Sequence, residues 1–264
     1  MNFFKYEALG NDFVITDNTI SEKDAVKLCN RNFGIGADGV LVYLKSEEFD
    51  AEMKIINSDG SVPEMCGNGL RCFVSYLVTE HRFHISPLKI LTGRGVLEVH
   101  WEKKDGKIEV SANLGKAEIL GKEVAKMDGL NLDLFGISMG NPHVVIISEE
   151  KIDPEQIEKM AVHFQKENFL NREVNVEVVT GINVMQRKIS LVVNERGAGF
   201  TLGCGTGGGA VTKAVQNIKG ISGGTWDVVF PGGTAKYEIL LNGDVVMTGI
   251  PNKVFQGVLN DRRI

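Results

Sequence analysis

The chain has 264 residues, room for one large domain or two of about 130, and at that length it buries about three quarters of its unfolded surface without staples. Hydrophobic residues make up 43% and charged residues 24%, as in ordinary globular proteins, and the net charge of −5 argues against a dedicated nucleic-acid binder, which carries a basic stripe. No apolar run approaches the ~18–20 residues of a membrane helix, and Glu7 and Asp12 interrupt any secretory signal, so a cytoplasmic location is expected.

In chain order, the first motif is Gly10-Asn11-Asp12-Phe13-Val14-Ile15, followed by a helix start at Ser21-Glu22-Lys23-Asp24. Gly34-x-Gly36-x-x-Gly39 matches the dinucleotide fingerprint as a string, but a helix precedes it and the apolar Val40–Leu44 strand follows, so it reads as a turn. Met53–Ile56 is a strand closed by the polar Asn57, and nine residues after Asn57 comes Cys66-Gly67-Asn68-Gly69, opening a helix that is apolar nearly all round. Strands are expected at Leu88–Thr92, Val96–Trp101 and Ile108–Ala112, with Lys103–Lys107 and Gly121–Leu134 read as surface connections. Gly140-Asn141-Pro142-His143 then precedes a strand at Val144–Ile147, and Asp153-Pro154 opens another helix. Beyond Asn175–Val179, Ser190–Val193 runs toward Glu195, and nine residues after Glu195 comes Cys204-Gly205-Thr206-Gly207, opening a helix of small residues. Strands at Trp226–Phe230, Tyr237–Leu241 and Asp244–Thr248 close the series.

The order Gly-Asn, then a polar strand end, then Cys-Gly-x-Gly therefore occurs twice, at an offset of roughly 130 residues. The expected fold is α+β, with two pseudo-symmetric lobes, each a curved, mostly antiparallel sheet around a central helix. The lobes are placed at 1–118, completed by a C-terminal strand near 250–264, and at 119–249, with an active site in the cleft between them.

Cysteines at helix starts suit proton chemistry. A thiol pKa near ~8.5 falls to about 3.5–7.5 at a helix N-terminus or beside cations, and the unpaired N–H groups there bind carboxylates. Two such thiols fit inversion of a stereocentre, one removing the α-proton while the other supplies a proton to the opposite face. Cys29 and Cys72 lie inside apolar helical patterns and read as packing residues. Among five histidines, His143 stands out beside Asn141 and Pro142, whereas His81, His84, His100 and His163 read as surface or packing groups. Glu195 and Arg196 beside a Gly-rich loop suit either a site or a structural ion pair.

At these residues the sequence resembles the diaminopimelate epimerase family over nearly its full length. The matching stretches are Gly10–Phe13, Gly34–Gly39, Asn57–Ser61, Cys66–Cys72, Gly140–His143, Glu195–Gly199, Cys204–Gly207 and Met247–Gly249. The resemblance implies a two-lobed fold, no cofactor, no metal, and Cys66 and Cys204 as the acid–base pair. It implies that His143 and Glu195 assist the thiols, that Asn11, Asn57, Asn141, Asn175 and Arg196 bind the distal end of the substrate, and that the amides of Gly67, Asn68, Gly205 and Thr206 hold the reacting carboxylate. The partner implied is a small amino acid rather than nucleic acid or membrane, and a homodimer is compatible with it. Gly39 stands where some members have Gln, and Phe200 where Glu is usual. A racemase of another amino acid such as histidine, a non-catalytic amino-acid-binding protein, and a double-bond isomerase are the alternatives.

Overall fold

The computed structural model describes residues 1–260, and the last four positions of the expected C-terminal strand lie outside them. Two compact units form, one from Met1–Ala112 with the segment from Thr248 onward, the other from Asn113–Met247.

The first unit runs β1 (Asn2–Ala8), β2 (Asn11–Thr16), α1 (Glu22–Cys29), β3 (Gly39–Leu44), β4 (Ala51–Asn57), α2 (Gly67–Glu80), β5 (Leu88–Thr92), β6 (Gly95–Lys104) and β7 (Lys107–Lys116). The second runs β8 (Glu118–Met127), β9 (Leu130–Ser138), β10 (Pro142–Ile147), α3 (Pro154–Lys166), β11 (Asn175–Asn183), β12 (Lys188–Glu195), β13 (Gly199–Thr201), α4 (Gly205–Lys219), β14 (Trp226–Phe230), β15 (Gly233–Ile239) and β16 (Asp244–Gly249). β17 (Asn252–Val258) then pairs antiparallel with β1 in the first unit.

The pseudo-symmetry is visible in the ladders. From β1 to β6 successive pairs alternate antiparallel, parallel, antiparallel, parallel, antiparallel. The second unit repeats that alternation through β9–β10, β10–β11, β11–β12, β12–β14 and β14–β15. Each parallel step is spanned by a helix, as a crossover requires. The flanking strands correspond too, since β17 lies antiparallel on β1 as β8 does on β9.

Strand patterning explains where the helices lie. In β2, Phe13 and Ile15 pack into the core around α2, while Val14, between them, packs with Ala25 and Leu28 of α1 on the opposite face. A strand covered on both sides reads as an unbroken apolar run. Every residue of α2 from Asn68 to Leu77 is buried, which accounts for a helix apolar all round. α4 reaches the same enclosure with small residues: a Cβ on Gly208 would fall 2.3 Å from the Tyr237 ring. α1 and α3 are amphipathic covers, capped by Ser21 and by an Asp153–Gln156 capping box with Pro154 in the first turn.

Two expected surface connections lie in hairpins, and only the longer of them is made of strands. Lys103–Lys107 is the tight turn of the β6–β7 hairpin, and Gly121–Leu134 is most of the β8–β9 hairpin. Both turn on Asp-Gly pairs, Asp105-Gly106 and Asp128-Gly129, with all four residues at positive φ. β8 is an edge strand whose charged residues face water, so its composition imitates a loop.

An ion cluster ties β1, β2 and the turn before β3. Asp12 takes two hydrogen bonds from Arg31, at 3.0 and 2.8 Å, and pairs with buried Lys5, while Arg31 also reaches Asp38 at 2.8 Å. Burial alone would raise the Asp12 carboxyl, but Arg31 and Lys5 outweigh it and hold the group well below the usual carboxylate range. A carboxyl depressed in the folded state contributes stability above its unfolded pKa and loses it as pH falls through the folded one. Asp12→Asn should therefore cost about 1.5–3 kcal/mol in urea melts at neutral pH. That gap should narrow steadily as the buffer is acidified below the ordinary carboxylate range; a gap independent of pH would contradict the assignment.

Candidate active site

Each unit ends a strand in a polar residue, Asn57 on β4 and Glu195 on β12, and then presents a cysteine as the N-cap of its central helix. The two starts match closely. Cys66 and Cys204 are both extended, with φ/ψ of −136°/120° and −113°/116°. The sulfur of each accepts the N–H three residues on, from Gly69 and from Gly207, at 3.4 Å in both cases. A cysteine thus takes the place of the usual Ser, Thr or Asp cap, and the first-turn amides of Gly67, Asn68, Gly205 and Thr206 open outward from the helix.

Around Cys66 the structure brings together Asn11 and Asn68. The thiol points to the Asn11 Oδ1 at 3.7 Å, the Asn68 amide donates to the same oxygen at 3.5 Å, and Asn11 donates to Asp38 at 2.8 Å. Buried Arg71 fixes Asn68 from below by donating to its Oδ1 at 2.8 Å. Asn57 bonds to Ser61 at 2.9 Å across the turn that leaves β4. Gly39, the first departure from the family pattern, faces the Ile56 carbonyl so closely that a Cβ would fall 2.9 Å from its oxygen.

Around Cys204 the predicted residues form one connected group. Thr206 Oγ1 lies 3.4 Å from the sulfur, the Asn141 amide donates to Thr206 at 3.4 Å, and the other end of Asn141 faces His143 Nε2 at 3.1 Å. Glu195 accepts from Thr201 at 2.6 Å, and its charge acts on the Cys204 thiol. Asn175 accepts the Arg196 N–H at 2.9 Å and donates to the Pro142 carbonyl at 3.3 Å, so its side chain holds the Arg196 loop against β10. Tyr237, which the sequence did not single out, donates to the Gly205 carbonyl at 3.0 Å and steadies the helix start.

The charge environment reverses one expectation. A helix start should lower a thiol pKa, but Cys204 is raised well above the ordinary thiol value. Burial is the main cause, followed by the negative charges of Glu195 and Glu177. Glu195 is raised as well, chiefly by burial, so the two groups share a reluctance to ionise. The helix terminus acts within the first turn only and is outweighed by desolvation at a residue 6% exposed. Cys29, pushed up to about 11 by burial, and Cys72, raised likewise, are the inert core thiols expected.

Glu177 is the residue sequence reasoning missed. It is fully buried on β11, with its Oε1 2.8 Å from His143 Nδ1. A single acid in the run Val176-Glu177-Val178-Val179, in a strand covered on both faces, was the available signal. Phe200 is half-exposed on β13, opposite Asn194. Among the described residues no group of three or more His, Cys, Asp or Glu is placed to hold a metal, and no helix is long and apolar enough to cross a membrane.

The sequence profile of the diaminopimelate epimerase family matches residues 3–120 and 135–254. The chain belongs to the diaminopimelate epimerase family. Family members include the diaminopimelate epimerase of Desulfitobacterium hafniense, 35% identical over 98% of both chains, and that of Clostridium perfringens, 37% identical over 90% of this chain and 92% of the other. Among solved structures, a Bacillus anthracis phenazine biosynthesis protein of the PhzF family superposes with a TM-score of 0.79 over 98% of this chain and 99% of its own, at 14% identity. That likeness shows the fold. The family match spans both cysteine-capped helix starts.

Proposed function

We propose that the chain is an isomerase that epimerises an amino-acid α-carbon without a cofactor, Cys66 and Cys204 being the two acid–base groups, and that its substrate is 2,6-diaminopimelate. The LL and meso forms would be interconverted, on the route to lysine and peptidoglycan precursors in the cytoplasm. The observation that carries this reading is the helix start capped by a cysteine sulfur, built twice from separate halves of the sequence with the same hydrogen bond. One thiolate takes the α-proton as the C–H bond breaks, and the opposing thiol gives its proton to the other face of the carbanion. The two sulfurs end with their protonation states exchanged, and the reverse reaction restores them.

The amides of Gly67, Asn68, Gly205 and Thr206 would hold the reacting carboxylate, where a helix start favours negative charge. Charge developing at the α-carbon would be stabilised there without reorganisation. Asn11, Asn57, Asn141, Asn175 and Arg196 would bind the far end of the substrate, Arg196 offering a bidentate fork to its carboxylate. Glu195, whose charge acts on the Cys204 thiol, and His143, linked to Thr206 through Asn141, would assist that thiol.

The test is a substrate panel in deuterium oxide, read by circular dichroism and by NMR of the α-position. LL- and meso-diaminopimelate should interconvert with deuterium entering the product α-carbon. Phe200 stands where the family resemblance has Glu, four residues before Cys204, so the panel includes histidine and other single amino acids. Turnover of one of those, with diaminopimelate untouched, would overturn the substrate; a panel with no label anywhere would overturn proton transfer itself.

A further inference from the structure

The two units can be laid on each other strand for strand, and at one place they differ in kind. In the first unit Phe13 on β2 and Leu41 on β3 lie beneath the helix start, 3.5 and 3.3 Å from where a Cβ on Gly69 would be. The corresponding strands of the second unit, β10 and β11, carry His143 and Glu177 at the matching positions. Phe13 is opposite Gly39 and His143 is opposite Asn175, with Leu41 and Glu177 two residues further on. Glu177 lies so close under Gly207 that a Cβ there would fall 2.6 Å from its Oε1, so only glycine lets the carboxylate approach the helix start.

An apolar pair evidently supports such a helix start, because Phe13 and Leu41 do so. Exchanging it for an imidazole and a carboxylate, both fully buried, desolvates two polar groups, and Glu177 Oε2 is left with no hydrogen-bond partner. Packing therefore gives no reason for the exchange. The hydrogen bonds do. Glu177 Oε1 faces His143 Nδ1 at 2.8 Å; His143 Nε2 lies 3.1 Å from Asn141 Oδ1; Asn141 Nδ2 donates to Thr206 at 3.4 Å; Thr206 Oγ1 lies 3.4 Å from the Cys204 sulfur. The Glu177 carboxylate accepts from Nδ1 and so fixes the ring with Nε2 turned toward Asn141, from which the Asn141 amide and the Thr206 hydroxyl lead on to the sulfur.

We propose that Glu177 is a positioning residue for the Cys204 half of the reaction, holding His143 so that the Asn141–Thr206 chain stays aimed at the sulfur, a device the Cys66 half does without. The inference rests on the epimerase reading above and deepens it: the two thiols would be matched in fold but unequal in how their proton is governed. The titratable groups acting on Cys204 are Glu195 from β12 and Glu177 from β11, with His143 from β10 held against Glu177. The charges of Glu195 and Glu177 both act on the thiol in the direction of keeping it protonated.

The experiment uses the full chain with Glu177→Gln, and with the double variant His143→Phe/Glu177→Leu, which copies the pair of the first unit. Two readouts are taken: kcat and KM for diaminopimelate in each direction, and the pH profile of iodoacetamide labelling at Cys204 and at Cys66, resolved by peptide mass spectrometry. Both variants should lower kcat by about 10–100-fold with KM within about twofold, the range for a group that orients a reacting one. The Cys204 labelling profile should move by about one pH unit while that of Cys66 stays in place. Should the single variant not fold, the double variant carries the same two readouts. Wild-type kcat with an unmoved Cys204 profile would overturn the proposal, and so would equal displacement of both cysteines, which marks general loosening. If the unsubstituted chain turns over no diaminopimelate, the functional reading fails, while the labelling comparison still decides the role of Glu177.

Discussion

Cys66→Ala and Cys204→Ala are each expected to reduce epimerisation by at least about 10²–10⁴-fold, the range that a positioned acid or base contributes. The groups beside Cys204 do not substitute for it. Thr206, 3.4 Å from the Cys204 sulfur, carries a hydroxyl far too weakly acidic to replace a thiol, and Glu195 is already bonded to Thr201. The two variants should differ from a generic inactive protein in one way. With one thiol left, the α-proton can still be removed and returned on that single face, so deuterium exchange with retention of configuration should persist in at least one variant. NMR of recovered substrate, combined with chiral chromatography, separates exchange from inversion. Full inversion by either variant would refute a two-thiol mechanism.

A second large effect concerns stability. His143→Phe alone should cost about 3–5 kcal/mol, as should Glu177→Leu alone, because each strands the other member of a fully buried pair. Glu177 already has one oxygen unsatisfied, so losing His143 leaves the carboxylate with no partner for either. The double variant should recover most of that loss and come within about 1–2 kcal/mol of the starting protein, since replacing both partners by apolar groups is often near neutral. The first unit supplies the precedent, with Phe13 and Leu41 in the same places. Urea titration of the four proteins forms a double-mutant cycle. Additive losses would show that the pair is not coupled.

How much was legible in the sequence follows from which forces act locally. The helix starts at Ser21, Cys66, Asp153 and Cys204 were readable because a cap is a contact within three or four residues. Asn57 and Glu195 as strand ends were readable from the repeat. β8 was not, because an edge strand exposes Glu118, Lys122, Glu123 and Lys126 to water, and only Asp128-Gly129 betrayed the hairpin. The direction of the Cys204 shift was illegible for another reason. Its helix start was local and visible, but the burial and the two carboxylates that overrule it come from β11 and β12. Glu177 escaped notice because its partner is 34 residues away on a neighbouring strand.

The first unit borrows its outermost strand from the far end of the chain, and this bears on synthesis at the ribosome. β8 follows the body of the first unit and directly precedes β9, so the second unit can close as soon as its own contiguous stretch has emerged. β1 must wait: its partner residues in β17 leave the exit tunnel some 250 positions later, and Met1 meets Leu259 through two reciprocal backbone bonds only then. Until that moment a nascent polypeptide displays the bare edge of Asn2–Ala8, a template for unwanted pairing of the kind that chaperones shield.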